Sequence, residues 1–350
     1  MDATRRHSHA GTRSVTGPFR PKEPAGFDLS RGLYAGVSES QSGCSVRGMD
    51  LRVSIEPQQG ASYDDLVRVA KAADELGFDG FFRSDHYLTF GGDGLPGPTD
   101  AWVTLGALAR ETSRVRLGTL LSPVTFRLPG PLAHPGGAGR CHEWRTGRAG
   151  HRRRMVRGGT RRLWYSVPSG PERFDRLIEQ VAIIDGLWRT PLSATYSFEG
   201  RYYRLTDSPA LPKPVQRPRP PIIIGGLGKR RSLELAAGFA DEFNVGWQDV
   251  QATASILDRT RAVIDRDIVY SAAQVLCVGR NDAEVARRAA AIRQRLDDLN
   301  TYGLAATPAQ VVDRIGRFAE HGITRFYLQT LDLDDLDHLE LVATQIAPQL

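Results

Sequence analysis

The 350-residue sequence predicts an α/β fold, a (β/α)8 barrel, and three observations carry that prediction. Short strands of buried type alternate with amphipathic helices, the pattern of a parallel sheet covered by helices. Seven such strands can be read along the chain, one short of a closed eight-stranded barrel. A chain of this length that is 41% hydrophobic and 25% charged also buries a large core without disulfides or a structural metal.

The elements follow in order. Leu51-Arg52-Val53-Ser54-Ile55 alternates as a strand directly after Met49, which makes Met49 a candidate translation start. Ser62 with Asp65 reads as a capping box, and Leu66, Val69, Ala70, Ala73 and Leu76 form one helical face that stops at Gly77. A strand over 78–83, a helix around Trp102, Leu105 and Leu108, and a strand over 115–121 come next. Phe174, Leu177, Ile178, Val181, Ile184 and Leu187 define another helix, followed by a hairpin through Tyr196, Phe198, Tyr202 and Leu205. The proline-rich stretch 209–221 excludes helix and feeds the strand Ile222-Ile223-Ile224. A helix over 232–239 leads to a strand over 243–245 and a helix near 256–264. A strand over 269–278 then precedes a single helix over 283–296. Thr307-Pro308-Ala309-Gln310 opens a capped helix that ends at Gly322; a strand over 325–331 and a helix over 336–346 complete the series.

Charge is unevenly placed. Residues 1–48 hold seven Lys+Arg against four Asp+Glu, and residues 134–168 hold nine Arg against the single Glu143, so the remainder carries −5 of the net +6. Residues 1–48 read as a disordered or non-native extension; they contain Arg5-Arg6 but no apolar core of an export signal. Residues 49–350 read as the barrel. Within it, 134–168 lacks any period, and Arg152-Arg153-Arg154 would be costly on a buried strand, so the fourth βα unit is expected to be scrambled or missing. The chain has 4 Lys beside 42 Arg, the mark of GC-rich coding, and a one-nucleotide shift after Ala133 allows the segment to be read as a helix followed by a strand, the alternative being a real basic insertion. His134, Cys141, His142 and His151 have no familiar zinc-ligand spacing.

The motifs Gly77-Phe78-Asp79-Gly80 through Ser84-Asp85-His86, Arg116-Leu117-Gly118-Thr119, Glu172-Arg173-Phe174-Asp175-Arg176-Leu177, Phe198-Glu199-Gly200-Arg201-Tyr202-Tyr203 and Ile222 to Gly226 occur in one order. In that order they resemble the luciferase-like monooxygenase superfamily, in its class of oxidoreductases that use the deazaflavin coenzyme F420. The resemblance covers 49–133 and 169–350 and implies a (β/α)8 barrel with an insertion. It implies Asp85 as a coenzyme contact and His86 as the catalytic, proton-handling residue. It also implies a non-prolyl cis peptide within Thr119-Leu120-Leu121-Ser122, with Leu120 and Leu121 under the coenzyme ring. Gly225-Gly226-Leu227-Gly228 follows a strand and opens a helix, the arrangement that holds a coenzyme phosphate, with Lys229 as an added charge. A capped strand end and a plain glycine turn are the structural alternatives at these two places.

The expected function is hydride transfer between coenzyme F420 and a small organic substrate, by an enzyme expected to be impaired by the segment 134–168. The alternatives are a monooxygenase that uses FMN and, in a different class, a nucleic-acid-binding protein built on the arginine-rich segments. No aromatic platform accompanies those arginines, so no nucleic-acid partner is expected. No apolar run reaches the roughly 20 residues of a membrane helix, and Cys44, Cys141 and Cys277 form no disulfide framework. A cytoplasmic protein is the expectation. Substrate and oligomeric state stay open, a homodimer among the options.

Overall fold

Eight parallel strands close on themselves into a barrel in the computed structural model, which describes residues 48–89, 93–137, 141–146 and 168–350. The strands of the ring are β1 (Asp50–Ile55), β2 (Gly80–Arg83), β3 (Arg116–Thr119), β4 (Cys141–Thr146), β7 (Ile222–Gly225), β8 (Glu242–Gly246), β9 (Val269–Val278) and β11 (Arg325–Thr330). Pairing of β8 with β9 and of β11 with β1 completes the circle, so no barrel strand presents an open edge. The antiparallel hairpin β5 (Tyr196–Glu199) and β6 (Arg204–Ser208) is inserted between β4 and β7. A short strand, β10 (Gly303–Ala306), runs beside the final third of β9 outside the ring. The described residues group as one compact unit. Apart from Gly48, the predicted extension 1–48 lies outside the described residues.

The helices form where their local signals put them. In α1 (Tyr63–Glu75) the Ser62 hydroxyl accepts from the Asp65 N–H at 3.2 Å and the Asp65 carboxylate accepts from the Ser62 N–H at 2.9 Å, the predicted capping box. Asp100 caps α2 (Ala101–Glu111) by accepting from Trp102 N–H and Val103 N–H. After α3 (Pro129–Gly137), α4 (Gly170–Arg189) buries Phe174, Leu177, Val181, Ile184 and Leu187 on the predicted face. Next come α5 (Arg230–Phe239) and α6 (Val250–Arg261), which starts earlier than its apolar period suggested because Asp249 caps it. The predicted single helix over 283–296 is instead α7 (Asp282–Ala291) and α8 (Leu296–Tyr302), divided at Arg293, whose φ is 54°. Two helices, α9 (Pro308–Ala319) and α10 (Leu336–Gln345), complete the outer layer.

One expectation is corrected. The fourth position of the sheet is filled: Cys141–Thr146 pairs with β3 on one side, through a register shift, and with β7 on the other. Pairing runs through backbone N–H and C=O groups, which any stretch without proline can supply, and Cys141–Thr146 contains none. Residues 147–167, with Arg152-Arg153-Arg154, lie outside the described residues.

Inside the barrel the strands alternate inward and outward residues. Phe82, Leu120, Ile223, Ala273 and Tyr327 form an apolar layer, with Phe82 and Tyr327 edge to face at 4.9 Å. Below it, toward the strand N-termini, a charged plug closes the barrel. Arg52 binds Asp50 at 2.7 and 2.8 Å, Arg325 joins Asp50 at 2.7 Å and pairs with buried Glu242, and the Tyr327 hydroxyl donates to Glu242 at 3.2 Å. Burial works to raise the Asp50 carboxyl, but Arg52 and Arg325 hold it below the usual carboxylate range. A buried arginine is tolerable only with such partners.

The strand-to-helix packing also buries His338, on α10. Its Nε2 accepts from the Val278 N–H at 2.8 Å, while Arg288 donates to the Val278 carbonyl at 2.7 Å and to Asp335 at 2.8 Å. Burial, then the neighbouring Arg288 charge, pushes the imidazole down from 6.5 to about 4. The unfolded chain therefore binds a proton that the folded one refuses between these two values. Stability should be fully present above pH 6.5 and fall by on the order of 3 kcal/mol as pH drops toward 4. Urea midpoints measured from pH 7.5 to 4.5 should show this slope, and His338→Gln should flatten it; equal slopes in both proteins would contradict the assignment.

Candidate functional site

A parallel barrel gathers the C-terminal ends of all its strands at one mouth, where loops rather than sheet decide the chemistry. Here the mouth is built from Glu56 after β1, Ser84-Asp85-His86 after β2, Leu120-Leu121-Ser122 after β3, the glycine turn after β7, Trp247 after β8 and Gln329 near the end of β11. The Leu120–Leu121 peptide bond is cis and not prolyl, at the place the sequence motif indicated. Leu120 is 6% exposed and belongs to the apolar interior layer; Leu121 is more open.

His86 is half-buried at the mouth, one residue beyond Asp85. Asp85 itself is fully buried, and both its oxygens are engaged within the protein. Arg127 reaches Oδ2 and, at 3.1 Å, Oδ1, while the Ser122 hydroxyl donates to Oδ2 at 2.9 Å. Arg127 also donates to Asp100 at 2.6 Å and to the Tyr87 hydroxyl at 3.2 Å. Trp102 Nε1 donates to Ser122 at 2.9 Å, and Gln180 on α4 holds the Arg127 carbonyl at 2.7 Å. Burial raises the Asp85 carboxyl, against the pull of Arg127. Burial opposes the Arg127 charge, and the Asp85 and Asp100 carboxylates outweigh that effect. The predicted coenzyme contact is thus the anchor of a buried ion-pair cluster that binds the loops after β2 and β3 together. Arg127, Asp100 and Tyr87 were not singled out in the sequence, where nothing in their spacing marks a cluster.

The glycine turn lies where the motif placed it, between β7 and α5. The Gly226 N–H donates to the Asn244 carbonyl at 3.2 Å, so that group is spent within the sheet. The groups left to face a ligand are the first-turn N–H groups of α5, at Lys229, Arg230 and Arg231, which have no intrahelical acceptor. A Cβ on Gly226 would come within 2.9 Å of the Ser232 hydroxyl oxygen, and Gly228 has φ +66°. Both glycines are therefore required by the turn itself, whatever it binds. Lys229 is exposed, and Arg259 leans over the turn with Nη2 3.3 Å from the Leu227 carbonyl.

Just below the mouth, Asn244 is fully buried and donates through Nδ2 to Ser271 at 2.7 Å, but its Oδ1 has no hydrogen-bond partner among the described residues. That oxygen lies 3.8 Å from where a Gly246 Cβ would stand, so a small residue keeps space above an orphaned acceptor. A planar apolar platform at Leu120-Leu121, a helix N-terminus with flanking cations and an unmatched acceptor suit a planar coenzyme that carries a phosphate. Two cavities, of about 560 Å³ beside Asn300, Gln310 and Arg314 and about 170 Å³ beside Thr125 and Arg176, are lined by neither His86 nor the glycine turn.

Comparison with known proteins agrees with this geometry. A sequence-family profile described as luciferase-like monooxygenase matches residues 49–307. An F420-dependent glucose-6-phosphate dehydrogenase from Microbacterium testaceum is 35% identical over 172 residues, 47% of this chain and 47% of that protein. An FMNH(2)-dependent dimethylsulfone monooxygenase from Pseudomonas putida is 29% identical over 118 residues, 33% of this chain and 31% of that protein. The chain spans about half the length of the first of these relatives. Among solved structures, an F420-dependent secondary alcohol dehydrogenase in complex with an F420-acetone adduct superposes with a TM-score of 0.69 at 18% identity, over 87% of this chain and 99% of the other. That likeness shows the fold.

Removing Arg127 should strand the Asp85 carboxylate in the interior. Arg127→Met is expected to cost about 3–5 kcal/mol in urea unfolding, and Asp85→Asn added to it should recover most of the loss. Independent, additive effects of the two changes would contradict the coupling.

Proposed function

Because the chain belongs to the luciferase-like monooxygenase family, we propose that it is an oxidoreductase that moves a hydride between coenzyme F420 and a small hydroxyl-bearing substrate. The observation that carries the reading is the mouth itself, where the apolar pair Leu120-Leu121, the α5 N-terminus and His86 share one end of the barrel. Similarity to F420-dependent glucose-6-phosphate dehydrogenases supports the coenzyme and suggests a phosphosugar as the first trial substrate. The FMN-dependent monooxygenase reading is kept as the second, on the similarity to the dimethylsulfone enzyme.

Bound at this mouth, the coenzyme supplies the carbon that accepts or returns a hydride. Leu120 and Leu121 would support its ring, and the N–H groups of Lys229, Arg230 and Arg231 would hold its phosphate, with Gly225, Gly226, Leu227 and Gly228 shaping the turn. Lys229 and Arg259 add positive charge beside the phosphate. Asp85 acts from one layer back: through Arg127 and Ser122 it fixes the loops that carry His86 and the platform. His86 takes the hydroxyl proton as the substrate carbon loses its hydride and becomes a carbonyl, and returns it in the reverse direction. The half-buried setting limits water around that proton without sealing it from solvent.

Titration of the full chain with F420 and, separately, with FMN should give saturable binding of F420 and weaker binding of FMN. The reverse order would favour the monooxygenase. With glucose 6-phosphate as trial substrate, His86→Asn should lower turnover by ~10²- to 10⁴-fold while leaving F420 affinity within a few-fold. Unchanged turnover in the folded variant would remove His86 from catalysis.

A further inference from the structure

We infer that Glu56 is a positioning residue that sets the Trp247 indole at the barrel mouth, acting through Gln329. This deepens the reading of the mouth as the coenzyme site and rests on it only for what the indole faces. Glu56 directly follows β1 and is 8% exposed, a carboxylate with little water around it. It accepts from two amides: the Gln329 Nε2 at 2.7 Å to Oε1, and the Gln58 Nε2 to Oε2. Beyond Gln329, the Trp247 Nε1 donates to Gln329 Oε1 at 2.8 Å. Beyond Gln58, the Ser84 hydroxyl donates to Gln58 Oε1 at 2.5 Å. One continuous hydrogen-bonded row therefore crosses the mouth from β8 through β11 and β1 to β2, and ends two residues from His86.

The direction of every bond in that row follows from Glu56. A glutamine amide can turn over and offer either its oxygen or its nitrogen, whereas a carboxylate only accepts. With a carboxylate between them, both glutamines must point nitrogen inward and oxygen outward. Outward oxygens are what an indole N–H and a serine hydroxyl need. Replace the carboxylate by an amide, and one of the two glutamines faces a donor with its own donor; turning it over then presents N–H₂ to Trp247 or Ser84.

Trp247 needs such support because its backbone is unfavourable. Its φ is 54°, in the left-handed region that bulky residues avoid, at a cost of roughly 1–2 kcal/mol, and such conformations persist where surrounding contacts enforce them. The Trp247 N–H to Ala273 carbonyl bond, 2.7 Å, holds the backbone, and the Gln329 bond holds the ring. The ring is partly exposed just after β8, one strand from the glycine turn, at the end of the barrel where the coenzyme is proposed to bind.

The test reads Trp247 in the free protein first. The chain has five tryptophans, so the Trp247 contribution is taken as the fluorescence difference between the chain and its Trp247→Phe variant. In the Glu56→Gln background that difference should shift to the red and become more accessible to acrylamide, and Gln329→Leu, which removes the link between Glu56 and Trp247, should do the same. An unchanged Trp247 contribution in both folded variants would overturn the inference. The second arm is a double-mutant cycle on F420 affinity. Glu56→Gln and Trp247→Phe should each weaken F420 binding by about five- to tenfold, the size of one aromatic contact, and together by no more than either alone. Multiplying effects would overturn the coupling. If no variant and not the parent chain binds F420 while the fluorescence responds as expected, the row stands and the coenzyme assignment fails.

Discussion

Closure of the parallel ring is the constraint on which everything else depends. Eight strands in one direction, joined β8 to β9 and β11 to β1, leave no edge and send every strand's C-terminal end to the same side. The consequence is a division of labour along the barrel axis. At the N-terminal side, Asp50, Arg52, Arg325, Glu242 and Tyr327 satisfy one another and seal the interior. The C-terminal side is left for groups whose partners come from loops.

The polar interior of that mouth is organised in two separate systems. One is an ion-pair cluster, Asp85 with Arg127, Asp100 and Tyr87, which ties the loops after β2 and β3 to α4. The other is the row from Trp247 to Ser84 through Gln329, Glu56 and Gln58, which runs from the end of β8 to the end of β2. Each is centred on a buried acidic group, Asp85 or Glu56, that dictates the orientation of its neighbours. The two systems meet at the adjacent residues Ser84 and Asp85, just before His86, and fixed loops of this kind hold a reacting pair of atoms in register, where misplacement by about 1 Å can cost two orders of magnitude in rate.

Much of this was legible in the chain. Alternation in Leu51 to Ile55, the Ser62/Asp65 and Thr307/Gln310 boxes and the run Ile222-Ile223-Ile224 each use a local rule that tertiary contacts did not override. The fourth strand was not legible, since its arginine-rich surroundings argue against a sheet while its backbone pairs regardless. Strand β10 is four residues, Gly-Leu-Ala-Ala, too short to show a period. At the site, the cis bond and the glycine turn stand where the motifs put them, while Asp85 is buried against Arg127 and Ser122. A carboxylate can meet a ligand or an arginine, and the choice here depends on Arg127, 42 residues away in sequence. Glu56, Gln329 and Trp247 are brought together only by closure of the ring, β1 on β11, β11 on β9 and β9 on β8, and lie in no shared motif.

The central claim is that the barrel mouth is built to hold a phosphate-bearing deazaflavin. A crystal structure of the full chain grown with F420 tests it most directly. The ring is expected against Leu120-Leu121 and beside Trp247, with the phosphate on the N–H groups that open α5. Coenzyme lodged instead in the hollow beside Asn300 and Arg314, or a mouth left vacant at saturating F420, would contradict it.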